Sequence, residues 1–240
     1  MVNKLRGAIF YVVSAIISIP YSLFALTLWV APRLLRHRLT IYWCHIEITA
    51  LKYICGVRYE IIGADNIKKA GAPIVALSKH QSAWETFYLQ LALFPASTLL
   101  KKELLSIPVF GWGLRGIHPI AIDRSNPREA LRQLKSDGLA HIREQYNLLI
   151  FPEGTRVNPG ERKKYARSGA DIAIEAGIDV LPIAVATGHC WPAKKMEKHP
   201  GTVKVIFGEP IQTEGRTSRE VTDLAEQWIE GKMQEIYENS

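Results

Sequence analysis

The sequence predicts an α/β fold: a mostly parallel central sheet flanked by helices, preceded by an N-terminal membrane-embedded helical segment. Three observations predict it. From residue 57 onward, short apolar runs alternate with helical segments, the pattern produced when each strand is carried to a parallel neighbour by a helix. Between Arg6 and Arg33 there is not one charged side chain. The composition, 48% apolar and 22% charged, is that of a packed protein and excludes a disordered chain. With 240 residues the chain makes one large domain, or one domain and an appendage. The change of pattern divides it into an anchoring segment, residues 1–56, and an α/β domain, residues 57–240.

The uncharged stretch is long enough to cross a bilayer, since about 20 apolar residues suffice. Its length and the lack of a small-residue cleavage site argue against a secretory signal. Tyr21 and Trp29 suit the membrane interface. Pro20 removes a backbone hydrogen bond in mid-segment, and both flanks are basic: Lys4 and Arg6 before, then Arg33, Arg36 and Arg38 after. Two topologies satisfy these facts, a kinked single span and a broken helical hairpin that returns to the same face. Residues 33–53 mix basic side chains with Leu34, Leu35, Ile41, Tyr42 and Trp43, as does a helix lying on an anionic surface or one packed on the domain.

Strands are expected at 57–62, 73–77, 98–100, 118–122, 148–151, 180–184 and 203–207, and helices at 83–94, 127–144, 169–176 and 218–237. Pro127 suits a first helical position because its backbone torsion is already helical. The formal charge of +7 favours anionic partners: nucleic acid, anionic lipid or phosphorylated metabolites. Cys44, Cys55 and Cys190 are odd in number and form no Cys-x-x-Cys, which argues against a disulfide framework or a zinc site.

In an open parallel sheet the ligand site lies beyond the carboxyl ends of the strands. The residues that follow the strands are Lys79-His80-Gln81-Ser82-Ala83-Trp84-Glu85, then Asp123-Arg124, then Pro152-Glu153-Gly154-Thr155-Arg156, then a loop with His189. Ser82 to Glu85 also has the form of a capping box, in which a serine caps a helix and a glutamate reaches back to its amide. His80 and Glu85 can therefore be a base and its orienting acid, or a loop residue and a cap. Arg124 and Arg156 can clamp an anion or form surface ion pairs, Arg156 with Glu161 for example. The chain has no Gly-x-Ser-x-Gly, no Gly-x-x-x-x-Gly-Lys-Ser/Thr, no Gly-x-Gly-x-x-Gly after a strand and no His-Glu-x-x-His. These absences argue against an α/β-hydrolase elbow, nucleotide-phosphate loops and a zincin. What remains is a His–carboxylate pair without its own nucleophile, which can act if the substrate brings the hydroxyl.

Four ordered segments, His80-x-x-x-x-Glu85, Ile122-Asp123-Arg124, Phe151-Pro152-Glu153-Gly154-Thr155-Arg156 and Val180-Leu181-Pro182-Ile183-Ala184, resemble the motifs of the glycerolipid acyltransferases. The resemblance runs from about residue 73 to the C-terminus. It implies transfer of a fatty acyl group from acyl-CoA or acyl carrier protein to the sn-2 hydroxyl of 1-acylglycerol-3-phosphate, forming phosphatidic acid. His80 would be the general base and Glu85 its orienting acid. Arg124, Glu153, Gly154, Thr155 and Arg156 would bind the glycerol phosphate, and Pro182 would shape the acyl pocket. Apart from the motifs, the chemistry requires a donor to the thioester oxyanion, and Lys101 or a nearby amide can supply it.

The family's usual acid is aspartate, so Glu85 is one methylene longer, and Arg167 stands where a lysine often follows the third motif. The resemblance implies no metal, no cofactor beyond the thioester donor, no covalent acyl-enzyme and no nucleic-acid partner. It implies a bilayer partner and a bacterial inner-membrane location with the catalytic domain on the cytoplasmic face. Another lysolipid acceptor, such as a lyso-ornithine lipid, or a non-catalytic protein binding anionic lipid are the alternative readings. Residues 104–112, an apolar loop broken by Pro108 and Gly111, suit an interfacial or tunnel-lining loop, or a buried one. Trp191 with Lys194, Lys195 and Lys198 suits contact with anionic lipid.

Overall fold

The computed structural model describes residues 1–123 and 125–239; Arg124 lies outside the described residues. The chain begins with α1 (Val2–Thr27), a 3₁₀ turn (Leu28–Val30), α2 (Arg33–Ala50) and a π turn (Leu51–Cys55). Gly56 ends this unit in the left-handed conformation, at φ +71°, and turns the chain into the sheet. The strands are β1 (Val57–Ile62), β2 (Val75–Ser78), β3 (Ala96–Lys101), β4 (Ile120–Ile122), β5 (Asn147–Ile150), β6 (Val180–Ala186) and β7 (Gly201–Phe207). Between and after them lie α3 (Asp65–Lys69), α4 (Trp84–Ala92), α5 (Phe110–Arg115), α6 (Pro127–Arg143), α7 (Ser168–Ala176) and α8 (Ser218–Glu238).

The sheet has seven strands in the order β1-β7-β6-β2-β5-β3-β4. Every pairing is parallel except β6 with β7, so β1 and β7 run against the other five. The expected strands all form, with ends shifted by no more than two residues. The 3₁₀ turn Lys102–Ser106 and α5 replace most of the loop expected at 104–112. There, Ile107 and Trp112 stay exposed, and Trp112 shares a surface hollow with Leu26, Trp29 and Arg115.

Strand alternation sorts the core into two halves. Val75, Leu77, Leu148 and Ile150 face α6, α7 and α8. Ile74, Ala76, Leu149, Leu181 and Ile183 face α4, the π turn and Phe10 of α1. The N-terminal segment thus contributes Phe10, Leu51 and Cys55 to the same cluster as Val57. The three cysteines are buried and free.

α1 continues through Pro20, then α2 returns beside it. Ser14 Oγ donates to Glu47 at 2.8 Å, Trp43 Nε1 donates to Ser18 Oγ at 3.1 Å, and the Tyr21 hydroxyl bonds the Leu39 carbonyl. Partners that approach in sequence toward residues 28–32 define an antiparallel hairpin. Val2, Leu5, Ile9, Val12, Ile16, Ile19 and Leu23 recur every three or four residues and stay exposed. They form an exposed apolar stripe along α1. The stretch Val2–Val30 is long and apolar enough to cross a membrane.

Candidate active site

The parallel sheet brings the carboxyl ends of β2 and β5 side by side. The turn after β2 carries His80, and its ring stacks on Phe151, the residue after β5, at 4.0 Å and 17°. His80 Nδ1 lies 2.9 Å from Glu85 Oε1. The same oxygen accepts the amides of Gln81 and Ser82, both at 2.6 Å. Oε2 accepts the hydroxyls of Ser82 at 2.6 Å and Thr187 at 2.8 Å. Burial by itself would raise the Glu85 pKa, but the bonds from His80 and Ser82 outweigh it and hold the carboxyl below its usual range. An ionised Glu85 requires that His80 Nδ1 carry the hydrogen, which leaves Nε2 as the basic lone pair. Among the described residues no group bonds Nε2, and the side chain is 15% exposed.

The capping contact and the contact to His80 are made by the same carboxylate. α4 starts at Trp84, whose amide donates to Ser82 Oγ at 3.0 Å, while Glu85 reaches back to the Ser82 amide and to His80 together. A single oxygen, Oε1, serves both contacts.

The turn after β5 divides its residues between interior and rim. Gly154 adopts φ +68°, a conformation that disfavours side chains, and Thr155 and Arg156 are exposed on the rim. Glu153 turns inward and is buried. Its Oε2 accepts the His80 amide at 2.8 Å, and its Oε1 lies 2.7 Å from Lys79 Nζ. That second contact is an ion pair without hydrogen-bond direction. Burial pushes the Glu153 pKa up to about 7. Lys79, 1% exposed, also meets Glu230 Oε1 at 2.7 Å and the Glu161 carbonyl at 3.1 Å. Burial would discharge Lys79, but the two carboxylates reverse the effect and raise its pKa.

Arg156 does not pair with Glu161, whose carboxylate accepts the amide and side chain of Asn158. Lys101 ends β3, two strands from β2, with its side chain exposed. Arg167 is exposed at the start of α7. Neither makes a hydrogen bond or ion pair to the His80 pair among the described residues. Pro182 is buried within β6 opposite Leu77, and it faces Gly208 and Trp228 under α8 rather than an open pocket. His189 Nε2 lies 3.2 Å from the Thr202 carbonyl, and Asp123 accepts the amide and hydroxyl of Ser125 in a turn.

Sequence reading missed the groups that hold this site. Gln81 Oε1 accepts the amides of Thr187 and Gly188, and its Nε2 bonds the Tyr237 hydroxyl at 2.6 Å. Glu230 also accepts the Tyr165 hydroxyl at 2.9 Å, and Glu226 accepts the Tyr165 amide at 3.3 Å. Glu226, Glu230 and Tyr237 follow helical spacing along α8, beside the buried stripe Val221, Ala225, Ile229, Met233 and Ile236. A polar line flanking an apolar one is a signal that the sequence did carry.

A family model described as acyltransferase matches residues 58–186. A 1-acyl-sn-glycerol-3-phosphate acyltransferase of Pseudomonas aeruginosa is 40% identical over 98% of this chain and 93% of its own length. The mouse 1-acyl-sn-glycerol-3-phosphate acyltransferase alpha is 29% identical over 73% of this chain and 62% of its own. The chain belongs to the acyltransferase family. The fold matches the crystal structure of the 1-acyl-sn-glycerophosphate (LPA) acyltransferase from Thermotoga maritima, with a TM-score of 0.80 over 98% of this chain and 96% of that one, at 23% identity.

Proposed function

We propose that this acyltransferase moves a fatty acyl group from acyl-CoA or acyl carrier protein to the sn-2 hydroxyl of 1-acylglycerol-3-phosphate, a step of phospholipid biosynthesis that yields phosphatidic acid. The observation that carries the mechanism is the His80–Glu85 pair: an oriented imidazole whose Nε2 is bonded by no group among the described residues. The activity named for the Pseudomonas relative supports the choice of acceptor.

In this reading His80 Nε2 takes the acceptor's hydroxyl proton as the oxygen attacks the thioester carbonyl. The C–S bond then breaks, and the leaving thiolate takes the proton from the imidazolium. Glu85 stabilises that imidazolium and keeps the ring in one tautomer. No metal, cofactor or acyl-enzyme is required. The hairpin lies in one leaflet with its exposed apolar stripe in the hydrocarbon, because α2 returns beside α1 instead of leaving a lone span. The inner membrane, with the site on its cytoplasmic face, is the corresponding location.

The test is a purified full-length chain given lysophosphatidate and each donor, with the product identified by mass. Wild type forms phosphatidic acid. His80→Ala loses about 10²–10⁴ in rate while still folding and binding lipid. Full activity of that variant would remove His80 from the chemistry.

A further inference from the structure

Between the hairpin and the segment joining β6 to β7 lies a cavity of about 550 Å³. Three cations from two distant segments line it: Arg156, Lys194 and Lys195. Phe10, Phe87 and Trp191 form its apolar wall. The lining touches the catalytic turn through Ala83 and Arg156. Ala83 follows Ser82, a partner of Glu85, and Arg156 precedes Val157, whose amide bonds the His80 carbonyl at 2.9 Å.

We propose that Lys194 and Lys195 complete, with Arg156, an anion site that takes the phosphate of the lysolipid acceptor, whose acyl chain lies on the wall formed by Phe10, Phe87 and Trp191. This deepens the function proposed above and rests on it. Most of the site lies outside residues 58–186, the part of the chain matched by the family model.

The charge balance of the cavity favours a phosphate. Its one carboxylate, Glu47, accepts the Ser14 hydroxyl at 2.8 Å, and burial pushes its pKa up to about 7, so it opposes an anion only weakly. Among the described residues no carboxylate pairs with Arg156 or Lys194. The nearest acid oxygen to Lys195 is Glu197 Oε1 at 3.9 Å. A guanidinium fork and two ammonium groups are a matched set for a phosphate dianion.

The loop that presents the lysines is also built for a purpose. Lys198 is fully buried, and its ammonium draws in the carbonyls of Lys195, Met196 and Glu197 at 3.0–3.3 Å and the Tyr11 hydroxyl at 3.1 Å. It also stands over the rings of Tyr11 and Trp191 at 4.6 and 4.7 Å. Lys194 takes the left-handed conformation, φ +59°, which is uncommon for a side-chain-bearing residue. Lys198 therefore fixes the loop to α1 and leaves Lys194 and Lys195 at the cavity edge.

The experiment compares wild type, Lys194→Gln/Lys195→Gln and the charge-restoring Lys194→Arg/Lys195→Arg, all full-length, in mixed micelles of uncharged detergent. The KM for lysophosphatidate and for the acyl donor is measured separately. The glutamine pair is expected to raise the acceptor KM by roughly tenfold or more with kcat and donor KM within about twofold, and the arginine pair to restore it. An unchanged acceptor KM overturns the proposal. So does a rise confined to the donor KM, which would assign the anion site to the thioester's carrier, or an equal rise in both, which would make the lysines general docking residues. A wild-type protein inert toward lysophosphatidate with both donors would instead refute the function on which the inference rests.

Discussion

The two ends of the parallel sheet hold buried polar clusters of opposite character. At the carboxyl end of β2, the Glu85 carboxylate receives donors on both oxygens: His80, two amides and two hydroxyls. At the other end, ahead of β5, His37, Gln90 and Tyr146 are as deeply buried. There the two ring nitrogens of His37, both amide atoms of Gln90 and the Tyr146 hydroxyl find no protein partner among the described residues. Gln90 faces His37 without reaching hydrogen-bond geometry. The rings of His37 and Tyr146 simply stack, at 5.5 Å and 7°.

Removing polar groups from water is costly at both ends. Hydrogen bonds offset that cost around Glu85, and around Asn147 at the other end, but not in the His37, Gln90 and Tyr146 group. The second cluster behaves as core, with shape and aromatic contact in place of directed bonds.

This contrast can be broken or sharpened by measurement. The largest effect on stability is expected from Lys79→Met, which leaves Glu153 and Glu230 buried without their cation. It should cost about 3–5 kcal/mol, read as a fall in thermal midpoint; a loss under 1 kcal/mol would show that the acids share a proton and do not need Lys79.

Acid should act next, and at the opposite end of the sheet. Burial pushes His37 down to about 4, and burial together with neighbouring His118 does the same to His141, against 6.5 for a free imidazole. A histidine whose folded pKa is lowered stabilises the fold fully above pH 6.5 and loses that contribution as pH falls toward 4. The loss is at most about 3 kcal/mol for each residue. Glu85, held low, stays ionised through this window, and its own contribution disappears only below the ordinary carboxylate range. Melting curves from pH 7.5 to 5 should therefore steepen toward acid in wild type and flatten in His37→Leu/His141→Leu. An identical slope in both would place the acid-sensitive groups elsewhere.

Thr187→Val removes one of the five donors to Glu85 and should cost about 1.5–3 kcal/mol, as for hydrogen bonds to a buried charge. Tyr146→Phe removes a buried hydroxyl that has no protein partner among the described residues and should leave stability unchanged or raise it by about 1 kcal/mol. If the two substitutions cost the same, the clusters do not differ in the way argued here.

The element order was legible because apolar runs of strand length and helical spacing are local patterns. α8, expected at 218–237, forms at Ser218–Glu238 behind a Thr217–Glu220 capping box. The contact of His80 with Glu85 was legible because the two lie five positions apart, in one turn and the helix that follows it. The inward turn of Glu153 was not, since it depends on Lys79 from the turn after β2 and Glu230 from α8. Pro182 was read as a pocket residue from its place in a motif; its packing against Gly208 within β6 depends on the neighbouring elements.

By itself, the sequence determined the succession of strands and helices, the apolar N-terminal stretch and the chemical types at the strand ends. Local side-chain period and turn chemistry specify these without knowledge of partners. Only the tertiary structure decided that β7 runs antiparallel to β6, that α1 and α2 form a hairpin, and that Thr187 joins Glu85 from 102 positions away. It also decided that Lys194 and Lys195 share a cavity with Arg156. Such contacts follow from how the two faces of the sheet are filled, and no local period encodes them.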